Sequence, residues 1–283
     1  MVKPQKDIAA SIRQRLMNLA RQQQQAFDVM LLSFGLERLI YRLSISPHKD
    51  RFVLKGGMLV TLWTKDRGRF TRDVDFLGFG NPDPAHLKSV FAEVVAIKGD
   101  DGLIFDTDIR MEPIREDQAY GGQRLKTVAR LGTTRIPITI DIGFGDALPY
   151  PDYAVTYPSL LDLASGTIRA YSPETVMAEK FHAVVTLGLV NGRMKDFYDL
   201  WEIPRSTDVQ TTELRTAVKA TFTRRDTLIP TTQPDGLSKT FGQDPEKIRQ
   251  WQAYAHSINL VDVSLGTVTD TVWSLFQPIC DSH

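Results

Sequence analysis

The segment from Arg135 to Ile142 strictly alternates apolar and polar residues, with isoleucine at every second position and Pro137, Thr139 and Asp141 between. Because successive side chains of a strand point to opposite faces, this pattern predicts a β-strand with one buried and one polar face. The chain must therefore build a sheet, and Asp141 must lie on the polar face of that sheet.

The remaining patterns predict a small mixed sheet combined with many helices, which is an α+β fold. Glycine and proline positions and runs of β-branched residues predict further strands at Arg51–Lys55, Thr71–Leu77, Leu103–Met111 and Arg124–Leu131. Short separations among the later strands favour antiparallel pairing. Apolar periodicity and caps predict helices over about Lys6–Leu43 (two helices broken near Gln22–Gln25), after Gly56-Gly57, from Pro84 to about Ile97, from Ser172 to about Val190, and over 193–203, 211–223, 244–258 and 268–278.

We expect two domains, with residues 1–165 containing the N-terminal helices and the sheet and residues 166–283 forming a mainly helical C-terminal domain. The charge is balanced, with 34 Lys plus Arg and 34 Asp plus Glu, so net charge does not favour nucleic acid. The single cysteine, Cys280, excludes an intrachain disulfide and a cysteine-rich zinc site. No stretch predicts a membrane span or a signal peptide, so a cytoplasmic protein without membrane contact is expected.

Two carboxylates, Asp73 and Asp75, lie one residue apart in the predicted strand Thr71–Leu77 and so project from the same face. Like charges this close require a positive partner. Arg69 and Arg72 could supply it, and most such pairs are surface features. The Gly-Gly helix start upstream and the third acid, Asp141, favour instead a hard divalent cation, Mg²⁺ above all, held by Asp73, Asp75 and Asp141.

Two motifs in this order resemble the AbiEii/AbiGii toxin family, which includes the mycobacterial MenT toxins and belongs to the DNA polymerase β-type nucleotidyltransferases. The first motif is Lys55-Gly56-Gly57 followed by Arg69-x-Thr71-x-Asp73-x-Asp75, and the second is Glu179-Lys180 followed by Arg193-x-Lys195-Asp196-x-x-Asp199. The resemblance extends over roughly Phe52 to Trp201. The family often has Gly-Ser in the first loop, so Gly-Gly here replaces a hydroxyl contact to phosphate by backbone alone.

The resemblance implies a nucleotidyltransferase core and a toxin of a type IV or related toxin–antitoxin system. It implies catalytic roles for Asp73, Asp75, Asp141, Lys180 and Asp196, with Mg²⁺ on the first three. The nucleotide-binding residues that it implies are Lys55, Gly56, Gly57, Arg69, Thr71, Arg193 and Asp199. The NTP would donate NMP to an acceptor hydroxyl, which in several relatives is the 3′ end of tRNA. A separately encoded cognate antitoxin would be the protein partner.

The residues themselves leave alternatives open. Lys180 lies in an apolar helix, where a lysine can simply extend to solvent, and Asp196 with Asp199 can form an ordinary solvated helix face. The basic residues Arg124, Lys126 and Arg130, a run from Lys65 to Arg72, and Arg224-Arg225 are equally compatible with an RNA groove and with scattered surface charge. Transfer to a protein side chain or small molecule, and a catalytically degenerate binding module, are the alternative functions.

Overall fold

The computed structural model describes residues 8–64, 68–114 and 121–281. The chain forms two compact units. Unit 1 consists of Met1–Leu59, Phe70–Gly145 and Asp152–Ala170, and unit 2 consists of Val60–Arg69, Asp146–Pro151 and Tyr171–His283. Because unit 2 takes segments from three places in the chain, its limits do not correspond to a single cut such as the one expected after residue 165.

The strands are β1 (Phe52–Lys55), β2 (Val74–Gly78), β3 (Leu103–Phe105), β4 (Arg110–Ile114), β5 (Gly122–Leu131), β6 (Thr134–Phe144), β7 (Ala154–Tyr157) and β8 (Gly166–Arg169). The helices are α1 (Ile8–Gln22), α2 (Phe27–Ser44), α3 (Gly57–Thr64), α4 (Pro84–Ala96), α5 (Pro173–Leu187), α6 (Met194–Ser206), α7 (Thr211–Arg224), α8 (Lys239–Gln243), α9 (Pro245–Ser257) and α10 (Leu265–Cys280). Within the described ranges, no helix has both the length and the apolar character needed to cross a membrane.

Unit 1 contains the predicted mixed sheet. The strand order is β1-β2-β6-β5-β3, and β4 pairs with the other half of β5. The pairing of β2 with β6 is parallel, whereas β5 pairs antiparallel with β3, β4 and β6. The α+β fold class with a small mixed sheet is therefore confirmed, as is the antiparallel pairing expected among the later strands.

The isoleucine face of β6 is buried, as its alternation predicts: residues 136, 138, 140 and 142 are all in the core. Helix α2 packs closely against this face at Gly35, where an added Cβ would lie 2.8 Å from Cδ1 of Ile138. The rings of Phe52 and Phe91 meet edge to face with centroids 5.0 Å apart, and Phe76 joins them. This packing gives β1 and β2 a rigid base.

The N-terminal helices break where the glutamine run predicts. Helix α1 ends at Gln22, and Gln24 has a φ of 53°, a left-handed conformation that ends a helix. Helix α4 begins as predicted at Pro84, with Asp83 accepting a hydrogen bond from the backbone N–H of His86 at 2.9 Å. Local signals therefore set these helix boundaries correctly.

The predicted single strand Leu103–Met111 is wrong, because the structure contains two strands, β3 and β4, separated by residues 106–109. Both pair with β5, β3 at its end and β4 at its beginning. Between them the backbone N–H of Asp106 donates to the carbonyl of Val128, and the side chain of Ile109 enters the core. The strands β7 and β8, which form a separate two-stranded sheet, were not predicted.

Unit 2 is helical over the described residues and contains α5 to α10. The rings of Phe181 and Phe276 stack with centroids 4.0 Å apart, and Phe197 stacks on Phe241 at 5.0 Å. Serine and aspartate cap four of these helices, namely Ser172 for α5, Ser238 for α8, Asp244 for α9 and Ser264 for α10. The predicted loop 228–243 contains the short helix α8, and α6 continues three residues beyond the predicted end at Ile203.

Candidate active site

Asp75 and Asp141 lie side by side on neighbouring strands of unit 1. They are directly paired in the parallel register of β2 with β6, and Lys55 is the partner of Asp75 on its other side, in the antiparallel pairing with β1. Paired positions in a sheet project to the same face. Strand pairing therefore places one cation and two carboxylates in a row across three strands.

Asp73 lies one residue before β2, two positions from Asp75. The hydroxyl of Thr71 donates to the Oδ1 atom of Asp73 at 2.9 Å, and the Thr71 side chain is buried. The motif spacing of Thr71 and Asp73 therefore serves a local purpose, because the threonine orients the carboxylate that follows it.

The Gly-Gly turn between β1 and α3 lies directly against Asp75. Gly56 has a φ of 70°, and a Cβ added there would lie 2.1 Å from Oδ2 of Asp75. The backbone N–H of Gly57 donates a hydrogen bond to the Asp75 carboxylate. The turn thus needs glycine both for its left-handed backbone and for the close approach of the carboxylate.

Arg124 is a member of this constellation that the sequence analysis considered only as part of an RNA groove or as surface charge. Its guanidinium donates two hydrogen bonds to Asp141, from Nε to Oδ1 at 2.7 Å and from Nη2 to Oδ2 at 2.6 Å. A signal was present, because β5 and β6 form a hairpin with the two-residue turn Gly132-Thr133, and residues equally far from that turn are paired. Counting back along both strands pairs Arg124 with Asp141.

Burial and the charges of the neighbouring carboxylates alter the protonation of Asp75. Burial raises the pKa of Asp75 to about 7, with a further increase from the charge of Asp73 and a smaller one from Asp141. Lys55 and the N–H of Gly57 oppose this rise. The ionised Asp75 is therefore short of positive partners.

The donor chemistry of these acids fits a hard divalent cation, since carboxylate oxygens are its preferred ligands and a cation beside Asp75 would remove the repulsion just described. Asp73 and Asp75 are the best placed for this. Over residues 8–64, 68–114 and 121–281, no three His, Cys, Asp or Glu side chains are arranged so as to hold a metal ion together. Asp141 is instead engaged by Arg124, so the magnesium site stays a prediction.

A second charged cluster lies within unit 2. The ammonium group of Lys180, on α5, lies 2.5 Å from Oδ1 of Asp196 and 2.8 Å from Oδ2 of Asp199, both on α6. Arg69 donates two hydrogen bonds to Asp199, at 2.7 and 2.6 Å. The predicted shared face of Asp196 and Asp199 is therefore real, because both acids contact the same lysine.

Burial differs sharply within this second cluster. Arg69 and Asp199 have side-chain exposures of 1% and 0%, whereas Lys180 and Asp196 retain 14% and 15%. Burial alone would lower the pKa of Lys180, but the carboxylates of Asp196 and Asp199 hold it above its ordinary value. Burial opposes ionisation of Asp199, and the charges of Lys180 and Arg69 overcome it and lower the pKa of that acid.

The structure thus groups the predicted site residues within each unit. Lys55, Gly56, Gly57, Thr71, Asp73, Asp75 and Asp141 come together in unit 1, and Arg69, Lys180, Asp196 and Asp199 come together in unit 2. Arg193 precedes α6 and is exposed. Arg69 and Asp199 would reach a nucleotide only after their mutual contacts were broken, because both are buried.

The basic residues on one face of β5 are neutralised by acids on β4, on β6 and in the segment between β3 and β4. Lys126 pairs with Glu112 at 2.7 Å, Arg130 pairs with Asp106 at 3.1 Å, and Arg124 pairs with Asp141. This arrangement does not favour an RNA groove along the strand. Lys65 and Arg67 of the second basic run lie outside the described residues.

A family model described as "Nucleotidyl transferase AbiEii toxin, Type IV TA system" matches residues 38–271. Among solved structures, the fold is similar to MenT4, a nucleotidyltransferase toxin from Mycobacterium tuberculosis H37Rv, with a TM-score of 0.52, 17% identity, and coverage of 93% of this chain and 98% of that one. The fold is also similar to JHP933 from Helicobacter pylori, with a TM-score of 0.50, 17% identity, and coverage of 88% and 90% respectively. At such identities the structural likeness concerns the fold alone. No curated protein sequence gives a significant match to this chain.

Proposed function

Since the chain belongs to the AbiEii family of nucleotidyltransferase toxins of type IV toxin–antitoxin systems, we propose that it transfers NMP from an NTP to an acceptor hydroxyl at the 3′ end of tRNA. Such a transfer would prevent aminoacylation of the tRNA and so block translation. A cognate antitoxin is the expected protein partner.

The observation that carries this proposal is the pairing of Asp75 with Asp141 beside Asp73, with the Gly56-Gly57 turn packed against Asp75. Adjacent carboxylates on a sheet face, next to the N-terminus of a helix, provide the elements that nucleotidyl transfer requires. The acids would hold a divalent cation, and the backbone N–H groups at the helix start would attract phosphate. Lys55 adds a positive charge on the same row of the sheet.

In the proposed reaction, the acceptor hydroxyl oxygen forms a bond to the α-phosphorus of the NTP. The bond between that phosphorus and the oxygen bridging to the β-phosphate breaks, and pyrophosphate leaves. The hydroxyl proton passes to solvent or to Asp141, whose carboxylate is oriented by the two hydrogen bonds from Arg124. Most of the catalysis required of the protein is positioning of the two reacting groups.

Asp73 and Asp75, with Asp141 as the third proposed ligand, would hold Mg²⁺. When bound, the ion neutralises phosphate charge in the reaction and on the departing pyrophosphate. Thr71 orients Asp73, and the Gly57 N–H orients Asp75, so that both carboxylates face the same side of the sheet.

For the residues of unit 2 the proposal rests on the order of the motifs in the sequence. We assign Lys180 to the triphosphate and Asp196 to the polar lining of the nucleotide site. The partial exposure of both side chains is consistent with contact to a ligand. Arg193, which is exposed at the start of α6, is the other proposed nucleotide contact of this unit.

The direct test is incubation of the purified protein with total RNA, Mg²⁺ and each of the four α-³²P-labelled NTPs in turn. The expected result is label in the tRNA band with one or more nucleotides, and no label with an Asp75→Asn variant prepared in parallel. Label in protein or small-molecule fractions would instead support a different acceptor. Absence of label from every fraction would contradict the proposed enzyme activity.

A further inference from the structure

The contacts of Lys180 extend inward to a fully buried ion pair. Oδ2 of Asp199 accepts from Nζ of Lys180 at 2.8 Å and from Nη2 of Arg69 at 2.6 Å, while Oδ1 of Asp199 accepts from Nε of Arg69. The cluster therefore runs from Arg69 in the interior, through Asp199, to Lys180 and Asp196 at the partly exposed end.

Stability alone does not explain this arrangement. Removing the charges of Arg69 and Asp199 from water is costly, and a buried ion pair commonly contributes less stability than apolar residues of the same volume would. The Nη1 atom of Arg69 is also buried and has no hydrogen-bond partner among the described residues, which adds a further cost. A buried cluster with an unsatisfied donor indicates that its geometry serves another purpose.

That geometry fixes one group in particular. A guanidinium that binds both oxygens of a carboxylate sets the plane of that carboxylate. With the plane of Asp199 fixed by Arg69, its Oδ2 atom holds the ammonium group of Lys180 in one direction. An ammonium has three N–H donors, and Asp196 and Asp199 engage two of those of Lys180. Within residues 8–64, 68–114 and 121–281, the third donor of this partly exposed group is left for a ligand.

We propose that Asp199, oriented by Arg69, is a positioning residue that fixes the ammonium group of Lys180 and maintains its charge. Neither Asp199 nor Arg69 then touches the nucleotide. The proposal refines the proposed function, because it explains how Lys180 is presented to the triphosphate, but its electrostatic part can be tested without catalysis.

Among the described residues, Asp196, Asp199 and Arg69 are the charged groups that act on Lys180 most strongly. Asp196 and Asp199 face Lys180 from α6, and Arg69 faces it from the segment after α3. Tyr254, on α9, acts on Arg69. The neighbours of Lys180 on its own helix, Glu179 and His182, are engaged instead by Arg225, at 3.1 and 3.4 Å. Neutralising Asp199 leaves Lys180 with Asp196 as its remaining carboxylate and exposes it to the charge of Arg69.

The first experiment measures the protonation of Lys180 directly. Competitive labelling of amines with acetic anhydride at a series of pH values, read by mass spectrometry, gives the pKa of Lys180 from the shape of its profile. In the wild-type protein the midpoint should lie above the ordinary lysine value of about 10.4. In Asp199→Asn it should fall by about one pH unit or more. An ordinary or lower wild-type midpoint would overturn the proposal even if the variant does not fold.

Asp101→Asn is the matched control, because Asp101 is also a buried acceptor of arginine hydrogen bonds, two from Arg42 at 2.6 and 2.9 Å and one from Arg38 at 3.0 Å. It should lower the melting temperature as Asp199→Asn does and leave the Lys180 profile unchanged. Equal pH profiles of Lys180 labelling in the wild-type protein and in Asp199→Asn would contradict the proposal.

The second experiment uses NMP transfer. Asp199→Asn should lower kcat/KM by roughly 100-fold, and the loss should deepen as pH rises. Combining Asp199→Asn with Lys180→Ala should cost no more than Lys180→Ala alone, because the aspartate acts through the lysine. Additive losses would contradict this role. If the wild-type protein shows no transfer at all, the proposed function fails, while the labelling result still decides the role of Asp199.

Discussion

Asp75 on β2 lies directly opposite Asp141 on β6 in a parallel pairing, so one strand spacing of about 4.8 Å separates their backbones. Two carboxylates at that separation on a half-buried sheet face oppose each other's ionisation. Burial, followed by the charge of Asp73 and then by that of Asp141, raises the pKa of Asp75, so the ionised residue costs the folded protein stability.

Asp75→Asn should therefore abolish transfer while stabilising the fold. A carboxyl whose pKa rises on folding contributes stability below its unfolded pKa and loses it as pH rises through the folded value of about 7. At pH 8 in EDTA, urea unfolding should show the variant more stable than wild type by roughly 1 kcal/mol or more. At pH 5 the difference in stability between the variant and wild type should shrink. The transfer activity of the variant at pH 8 should be lower than that of wild type by about 100-fold or more. A variant destabilised at pH 8 would contradict this account.

Gly56→Ala should lower the rate of NMP transfer by more than its loss of folding stability explains, because the new Cβ would lie 2.1 Å from Oδ2 of Asp75. Gly80→Ala is the control, since Gly80 has a φ of 94° but the nearest atom to its added Cβ is 3.6 Å away. Both variants should lose on the order of 1 kcal/mol from the backbone conformation. The displaced carboxylate should cost Gly56→Ala a further ~100-fold in transfer rate. Equal activities of the two variants would show that the close contact is unimportant.

Glu37 should make unit 1 more stable in acid. Burial raises its pKa from 4.5 to about 7, against the hydrogen bonds from the Leu160 N–H and the Ser159 hydroxyl. The folded state binds the proton more tightly, so this stability is complete below pH 4.5 and is lost as pH rises through 7. This contribution to stability is about 1.4 kcal/mol for each pH unit between the unfolded and the folded pKa of Glu37.

Glu37→Gln tests this directly, because an amide can donate to the Ser159 hydroxyl while its oxygen accepts from Leu160. The variant should match wild type in urea unfolding at pH 4.5 and exceed it at pH 8. Glu213→Gln, at an exposed position on α7, should keep the wild-type pH dependence. A Glu37→Gln protein that follows the wild-type curve would rule out this assignment.

Lys126 and Arg130 should not contribute to RNA binding, because Lys126 is paired with Glu112 on β4 and Arg130 with Asp106 in the segment between β3 and β4. The double variant with alanine at both positions should bind tRNA within about twofold of wild type, with the same slope of log affinity against log salt. Its stability should change by less than about 1 kcal/mol, since both pairs are exposed. A shallower salt slope would place the RNA on this strand after all.

Much of the fold follows from local patterns. The alternating isoleucines of β6, the break between α1 and α2, and the cap at Asp83 depend on neighbours within a few residues, and the structure confirms all three. The predicted strand Leu103–Met111 failed because its two halves pair with different parts of β5, which local alternation does not encode.

The contacts of the candidate site likewise divide into those that local patterns encode and those that depend on distant segments. Strand and helix periodicity in the sequence predicted that Asp73 and Asp75 share a face and that Asp196 and Asp199 share another. The pairing of Arg124 with Asp141 follows from the two-residue hairpin turn, which the sequence analysis did not use. Only the tertiary structure decided that Asp75 neighbours Asp141 and that Arg69 binds Asp199, 130 residues away. The physical reason is that side-chain direction and hairpin register are set by local backbone geometry. A parallel strand pairing or a buried ion pair instead depends on how distant segments pack together.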